Sequence, residues 1–157
     1  MKLTTKNFGD IDIDENKIIS FADGIPGFPD DDKYVLLNDD LDENGEESPF
    51  LWMQSVKDGD ICFILIDALT IFSDYDPQVD KDDLLDLGDY EKDGYNIYNI
   101  AKFPSETKDA TVNLKAPIVV NYSAKLGKQV VCMNEEYTVR HKIFGSTSVL
   151  KSEGGEA

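Results

Sequence analysis

The sequence FLWMQSVKDGDICFILID, residues 50–67, contains two apolar runs separated by a polar turn. Every residue from 61 to 66 is apolar, which is typical of a strand that is buried on both faces. The short length and the β-branched and aromatic residues favour a strand over a helix. The turn contains Asp58 and Gly59, a preferred pair where a hairpin needs a positive φ. The stretch therefore predicts a central β-hairpin that the rest of the chain surrounds.

Shorter strands are predicted on both sides of this hairpin, because apolar residues there alternate with polar ones or form short runs between turn residues. These strands lie at residues 3–8, 11–13, 17–21, 33–38, 95–103, 110–114, 117–121 and 129–133. Residues 68–78 are predicted to be an extended edge segment. A short helix is predicted at residues 80–88, with Asp80 as its N-cap and Gly88 after its last turn.

Together these elements predict an all-β, mainly antiparallel fold: a small β-barrel-like or sandwich domain of about nine short strands with one short helix. The length of 157 residues fits a single domain. We expect this domain to cover residues 1–144 and residues 145–157 to form a flexible tail. The polar insertion DDLDENGEES, residues 39–48, is expected to be an exposed loop.

The chain is strongly acidic, with 32 Asp and Glu against 15 Lys and Arg, a net charge of −17. Such a charge repels phosphate backbones, so direct binding of nucleic acid is not expected, and it favours basic partners. A role of the acids in solubility alone is the other interpretation. No apolar run approaches the ~20 residues of a membrane span, and no secretion signal is present, so we expect a cytoplasmic protein. Cys62 and Cys132 each lie in an apolar run and are predicted to be buried, reduced thiols.

The sequence offers little for catalysis. It contains one histidine, His141, and no nucleophile motif such as GxSxG, so a recognisable triad is missing and we predict no enzyme activity. One histidine and two distant cysteines do not form a zinc site, so neither a metal nor another cofactor is expected. The insertion matches only the first half of a calcium-binding EF-hand loop, with Leu51 where a bidentate Glu is required.

The segment GIPGFP, residues 24–29, is predicted to be an irregular loop because it contains two glycines and two prolines. Its large side chains are Ile25 and Phe28. They would either fill the end of a barrel or form an apolar contact with a partner.

Four segments together resemble the FliW family of flagellar assembly factors, in the family's order and spacing and over residues 1–144. They are FGDIDIDENKIISFADGIPGF, PFLWMQSVKDGDICFILIDALTIFSDYDP, TVNLKAPIVVN and GKQVV followed by EYTVRH. The chain departs from the family pattern in the acidic residues 39–47, in the aromatic segment 95–103 and in Lys142, where a proline is expected.

The resemblance implies a non-enzymatic, barrel-like protein that binds flagellin in the cytoplasm. When released from flagellin, such a protein binds and antagonises the RNA-binding translational regulator CsrA, which relieves repression of flagellin mRNA translation. We expect the free protein to be a monomer. An acidic protein beside the RNA site of CsrA would repel RNA without occupying that site.

The candidate partner-binding residues form two groups. The apolar group is the loop with Ile25, Pro26 and Phe28, together with Trp52 and Gln54 of the hairpin, although a single Trp in an apolar strand is usually part of the core. The acidic group, expected to meet a basic partner, is Asp74, Asp76 and Glu136. The alternative function is a barrel that carries a small apolar ligand, which predicts a cavity lined by the central hairpin; an enzyme and a purely structural subunit are further alternatives.

Overall fold

The computed structural model describes residues 1–28, 30–38 and 50–144. The predicted acidic loop at residues 39–48 and the predicted tail at residues 145–157 lie outside the described residues.

The described residues form eleven strands and short helices. The strands are β1 (Lys2–Thr5), β2 (Gly9–Asp12), β3 (Ile19–Ser20), β4 (Lys33–Asn38), β5 (Phe50–Ser55), β6 (Cys62–Ile66), β7 (Asn96–Lys102), β8 (Thr111–Val112), β9 (Ile118–Asn121), β10 (Leu126–Gln129) and β11 (His141–Lys142). The α-helices are α1 (Ala68–Ile71) and α2 (Tyr90–Asp93), and 3-10 helices lie at Glu15–Lys17, Lys81–Leu84 and Thr107–Asp109.

Seven of the strands form a closed barrel in the order β7-β6-β5-β4-β3-β10-β9, and β9 pairs back to β7. Strands β8 and β11 extend the sheet beyond β7, and β1 and β2 form a separate hairpin. Strands β3 and β10 run parallel, whereas the other pairs of described strands are antiparallel. The predicted all-β, mainly antiparallel, barrel-like fold is confirmed, with more strands than the nine expected.

The central hairpin is present as β5 and β6, and its side chains alternate between the two faces of the barrel wall. Met53 and Leu65 point into the barrel and are completely buried, in one cluster with Phe21 and Tyr34. Ile66 points outward and is also completely buried, because a second cluster built from α1, β8 and the segment around residue 137 covers that side. The hairpin is therefore covered on both faces at Leu65 and Ile66, as the apolar run predicted.

Gly59, in the turn between β5 and β6, is required by close packing and not by backbone conformation. Its φ is not positive, so the predicted reason for a glycine at this position is wrong. A Cβ at this position would collide with the backbone carbonyl of Thr4, and the N–H of Lys6 donates a 3.0 Å hydrogen bond to the carbonyl of Gly59. The turn therefore holds the N-terminal hairpin against the barrel.

Several of the predicted elements differ from the structure. The strand predicted at residues 17–21 is reduced to β3, and the strand predicted at residues 129–133 is β10, which ends at Gln129. Residues 68–71 form α1 instead of an extended edge, since the side chain of Asp67 accepts a hydrogen bond from the N–H of Leu69 and caps a helical turn. Within the helix predicted at residues 80–88, Asp80 is the N-cap of a single 3-10 turn, Lys81–Leu84, and Gly88 has a φ of +84°.

Candidate protein-binding site

The loop at residues 24–28 contains one buried and one exposed apolar side chain. Gly24 and Gly27 have φ values of +65° and +92°, and the N–H of Phe28 donates a 2.7 Å hydrogen bond to the carbonyl of Ile25. Ile25 is 2% exposed and packs in the barrel core, whereas Phe28 is 39% exposed. The exposed ring meets the ring of Phe63 edge to face at 5.7 Å. Ile25 thus fills the barrel end, while Phe28 and the exposed Pro26 can contact a partner.

Buried polar groups hold the base of this loop. The N–H of Asp31 donates to the carbonyl of Phe28 at 3.1 Å, and the hydroxyl of Ser55 donates to the Asp31 carboxylate at 2.7 Å. Burial, with the nearby charge of Asp31 as a further cause, raises the pKa of Tyr34 above its ordinary value. At the surface, the 2.7 Å ion pair with Lys57 lowers the pKa of Asp32. The loop is therefore attached to the last residues of β5.

Trp52 lies on the outer face of β5, on the opposite side of the barrel wall from Phe63. Its ring meets that of Phe8 edge to face at 5.6 Å, and Trp52 pairs in register with Leu37 on β4 and Ile64 on β6. Trp52 is partly exposed and lines a surface groove of about 290 Å³ with three other apolar side chains. This aromatic groove consists of Phe50, Trp52, Ile64 and Phe103.

Gln54 is completely buried and holds the hairpin turn. Its amide nitrogen lies within hydrogen-bonding distance of the carbonyls of Ser55, Gly59 and Ile61, at 3.1, 3.2 and 3.1 Å. In this conformation the side chain is not on the surface. Any influence of Gln54 on a partner would therefore act through the turn that it positions.

The three candidate acids come together on one surface, although Glu136 is distant in sequence from Asp74 and Asp76. The N–H of Asp76 donates to the hydroxyl of Tyr137 at 2.8 Å, and the amide of Asn134 lies 3.1 Å from the carbonyl of Asp76 and 3.3 Å from Oε1 of Glu136. Burial raises the pKa of Tyr137, and the charges of Glu136, Asp76 and Asp74 raise it further. We call these three exposed residues the acidic cluster.

The structure thus separates the candidate residues into three places. Phe28 contacts Phe63 near the beginning of β6, and the aromatic groove lies on the outer face of the barrel. The acidic cluster lies where the segment around Asp76 meets Asn134 and Tyr137. Phe50, Ile64 and Phe103 were not predicted from the sequence to be surface residues. The signal was that they are apolar on the outer face of β5 and β6 and directly after β7, where an antiparallel barrel normally exposes polar residues.

Comparison with known proteins assigns the chain to a family. The sequence profile of the family described as "FliW protein" matches residues 2–143. This chain belongs to the FliW family. It is 33% identical to the flagellar assembly factor FliW of Alkaliphilus metalliredigens, over 99% of this chain and 94% of that protein. It is 38% identical to the flagellar assembly factor FliW of a Geobacillus species (strain WCH70), over 92% of this chain and 96% of that protein.

A solved structure of the FliW family has the same fold. The crystal structure of a flagellar assembly factor FliW superposes on this chain with a TM-score of 0.79 at 36% identity, covering 93% of this chain and 99% of that one. Within the described part of this FliW-family chain, no cluster of three or more His, Cys, Asp or Glu side chains is arranged to hold a metal ion. None of the helices in those residues is long and apolar enough to cross a membrane.

Proposed function

We propose that this protein is a non-enzymatic flagellar assembly factor that binds flagellin in the cytoplasm and, when released, binds and antagonises the translational regulator CsrA. Antagonism of CsrA relieves the repression of flagellin mRNA translation. The observation that carries this proposal is membership of the FliW family along residues 2–143, together with the match to a FliW crystal structure.

The surface of the protein supports a protein partner with basic character. The net charge is −17, and the acidic cluster concentrates three exposed carboxylates on one surface. A regulator that binds RNA has a basic surface, so its association with an acidic protein is electrostatically favourable. Bound beside the RNA site, the same charges repel RNA over about one Debye length, ~8 Å at physiological salt.

The environment of His141 supports a non-enzymatic role. His141 is 5% exposed and packs edge to face on Phe72 at 5.0 Å, so its ring is part of the core. Cys62 was predicted to be buried but is only partly buried, whereas Cys132 is buried as predicted. The burial that Cys62 does have raises the pKa of its thiol, which disfavours the reactive thiolate. Both observations favour a non-enzymatic role.

The alternative, a carrier of a small apolar ligand, has less support. The middle of the barrel is filled, since Phe21, Tyr34, Met53 and Leu65 are completely buried there. The cavity of about 430 Å³ that reaches Leu51 opens to solvent at the end of the barrel beside Lys17 and Lys125, and the aromatic groove lies on the outer surface. An enclosed site for an apolar ligand would instead need space in the middle of the barrel.

Calorimetric titration tests the proposal directly. The purified protein is titrated with flagellin and with CsrA, and each titration is repeated in the presence of the other partner. We expect binding to both and mutual weakening, because the coupling between two ligands is reciprocal. Binding to neither partner would refute the proposal, and binding to flagellin alone would reduce the protein to a chaperone.

The electrostatic part of the proposal needs a separate test. The affinity of CsrA for a flagellin leader RNA is measured at saturating concentrations of this protein and at increasing ionic strength. The inhibition should weaken as salt screens the repulsion between acids and RNA. Inhibition that is unchanged from low to high salt would exclude repulsion as the cause.

A further inference from the structure

Strand β10 is paired along one side but almost unpaired along the other. On one side it forms four residue pairs with β9, from Leu126↔Asn121 to Gln129↔Ile118. On the other side it meets β3 in a single parallel pair, Leu126↔Ser20. Beyond that pair the chain continues from β3 into the loop at residues 24–28, so among the described residues the barrel wall has an open seam here.

The chain continues as an extended segment after β10. The N–H of Val130 donates to the carbonyl of Pro117 at 3.0 Å, and the N–H of Cys132 donates to the carbonyl of Lys115 at 2.8 Å. Because successive residues of a strand direct their backbone groups to opposite sides, those of Gln129 and Val131 point into the seam. Within residues 1–28, 30–38 and 50–144, no hydrogen-bond partner is found for the N–H or C=O groups of these two residues. We call this stretch the open edge.

Each end of the open edge leads to a feature that can bind a side chain. At the β3 end lies a cavity of about 220 Å³, the loop pocket, whose lining residues include Ile25, Pro26 and Leu87 and the ion pair of Lys128 with Asp86. That volume exceeds the roughly 150 Å³ that accommodates a benzene ring in an engineered protein cavity, so an apolar side chain can enter it.

The other end of the open edge leads to the acidic cluster. The open edge ends at Met133, because its N–H points to the same side as those of Gln129 and Val131 and donates to the carbonyl of Gln78 at 2.7 Å. The N–H of Gln78 in turn donates to Oδ1 of Asn134 at 2.7 Å. Asn134 is the residue whose amide contacts Asp76 and Glu136. Val131 and Met133, 62% and 60% exposed, add an apolar surface along the edge.

We propose that the open edge binds an extended peptide segment of a partner protein by β-strand addition. An apolar side chain of the segment enters the loop pocket, and a Lys or Arg at the end of the segment beside Gln78 extends its side chain to the acidic cluster. The net charge of −17 favours a basic segment and opposes edge-to-edge pairing of two copies of this chain. This binding mode goes beyond the proposed function and does not depend on which protein supplies the segment.

Amide hydrogen exchange followed by NMR tests the proposal. The probes are two capped peptides of about nine residues with alternating Val and Thr. One peptide has Leu at its N-terminal end and two Lys at its C-terminal end, and the other has the reverse order, so that both strand directions are sampled. In the free protein we expect fast exchange at Gln129 and Val131 and slow exchange at Val130 and Cys132. At least one of the two peptides should slow amide exchange at Gln129 and Val131 by about ten-fold or more, and exchange at Val130 and Cys132 should stay unchanged.

A pair of variants provides an independent readout by calorimetry. Val131→Pro removes an N–H that has no partner in the free protein, and proline is tolerated on such an edge. The variant should bind the peptide about ten-fold more weakly, because the hydrogen bond from the N–H of residue 131 to the peptide is lost. Val131→Thr keeps the N–H and should bind within about two-fold of the parent protein.

Several results would overturn the proposal. One is that millimolar peptide does not slow amide exchange at Gln129 and Val131. Another is that the Val131→Pro and Val131→Thr variants bind the peptide with equal affinity. A third is that a peptide N-methylated at alternate amides binds as tightly as the unmodified peptide. Equal binding of a peptide with Glu in place of Lys would overturn the role of the acidic cluster. Slow exchange at Gln129 and Val131 in a free protein that sediments as a dimer would show that a second copy occupies the edge.

Discussion

The hydroxyl of Ser55 donates a hydrogen bond of 2.7 Å to Oδ1 of Asp31, and both residues are buried. The same hydroxyl accepts a hydrogen bond of 2.9 Å from the N–H of Asp58. One side chain at the end of β5 therefore connects the base of the loop at residues 24–28 with the turn of the central hairpin.

We expect Ser55→Ala to lower the free energy of unfolding by about 1–3 kcal/mol, because it leaves a buried carboxylate without this donor. Urea denaturation measures the loss. The control is Thr70→Ala, which removes an exposed hydroxyl that donates to the carbonyl of Asp67, and it should cost less than about 0.5 kcal/mol. Equal stability of the Ser55 variant and the parent protein would show that the bond contributes nothing net.

Gly127 in β10 faces the ring of Phe21 inside the barrel. A Cβ at residue 127 would lie 2.5–2.8 Å from three atoms of that ring. Gly127→Ala should therefore lower the free energy of unfolding by about 1–3 kcal/mol through overpacking. The double variant Gly127→Ala with Phe21→Leu should show favourable coupling in a double-mutant cycle, since the smaller side chain makes room. Additive losses in thermal or urea unfolding would contradict the proposed clash.

Tyr34 and Tyr75 predict a loss of stability in alkaline solution. Burial raises the pKa of both hydroxyls above the ordinary value of 10.0. Below about pH 10 both the folded and the unfolded chain keep these protons, so the tyrosines cause no pH dependence. Above it only the unfolded chain ionises, and each tyrosine lowers the free energy of unfolding by up to about 1.4 kcal/mol per pH unit.

Tyr34→Phe and Tyr75→Phe isolate this effect from other groups that titrate in base. Urea unfolding of each variant and of the parent protein is compared between about pH 8 and pH 11. The difference in stability between parent and variant should be constant up to about pH 10 and should then shift in favour of the variant. Parallel pH profiles would show that the ionisation of these tyrosines is not coupled to unfolding.

Neutralising the acidic cluster should weaken binding of a basic partner. We expect the triple variant Asp74→Asn, Asp76→Asn, Glu136→Gln to bind CsrA about ten-fold more weakly at low salt, mainly through slower association. The difference should shrink as ionic strength rises. Surface plasmon resonance at several salt concentrations gives both rate constants.

The matched control changes three exposed acids elsewhere: Asp10→Asn, Glu15→Gln and Asp60→Asn. It has the same net charge as the triple variant but keeps the acidic cluster. Equal losses in the two variants would mean that net charge, and not the location of the cluster, determines association with the partner.

The sequence predicted the elements that local patterns specify. The apolar run at residues 61–66 identified β6, and Asp80 marked the start of a helical turn through capping, although this turn ends at Leu84 and not at Gly88. Alternation also predicted β7 at Asn96–Lys102. In these cases the information lies within a few residues of the element itself.

Other features depended on contacts between distant residues. Gly127 lies in β10, where the ring of Phe21 leaves no room for a side chain, and the positive φ before this strand is at Lys125. The strand predicted at residues 129–133 lies earlier in the chain, at Leu126–Gln129. The grouping of Glu136 with Asp74 and Asp76 depends on Asn134 and Tyr137, which no local pattern reveals.

The pairing of Ser20 with Leu126 also constrains how the protein is made. β3 is near the start of the chain and its parallel partner β10 is near the end of the described residues, so the wall between them cannot form until Leu126 has left the ribosome. Contacts between such distant segments also form slowly, because most of the chain must be ordered first. During synthesis the nascent chain therefore carries the loop at residues 24–28 without the strand that completes its pocket, and only the finished chain can present both to a partner.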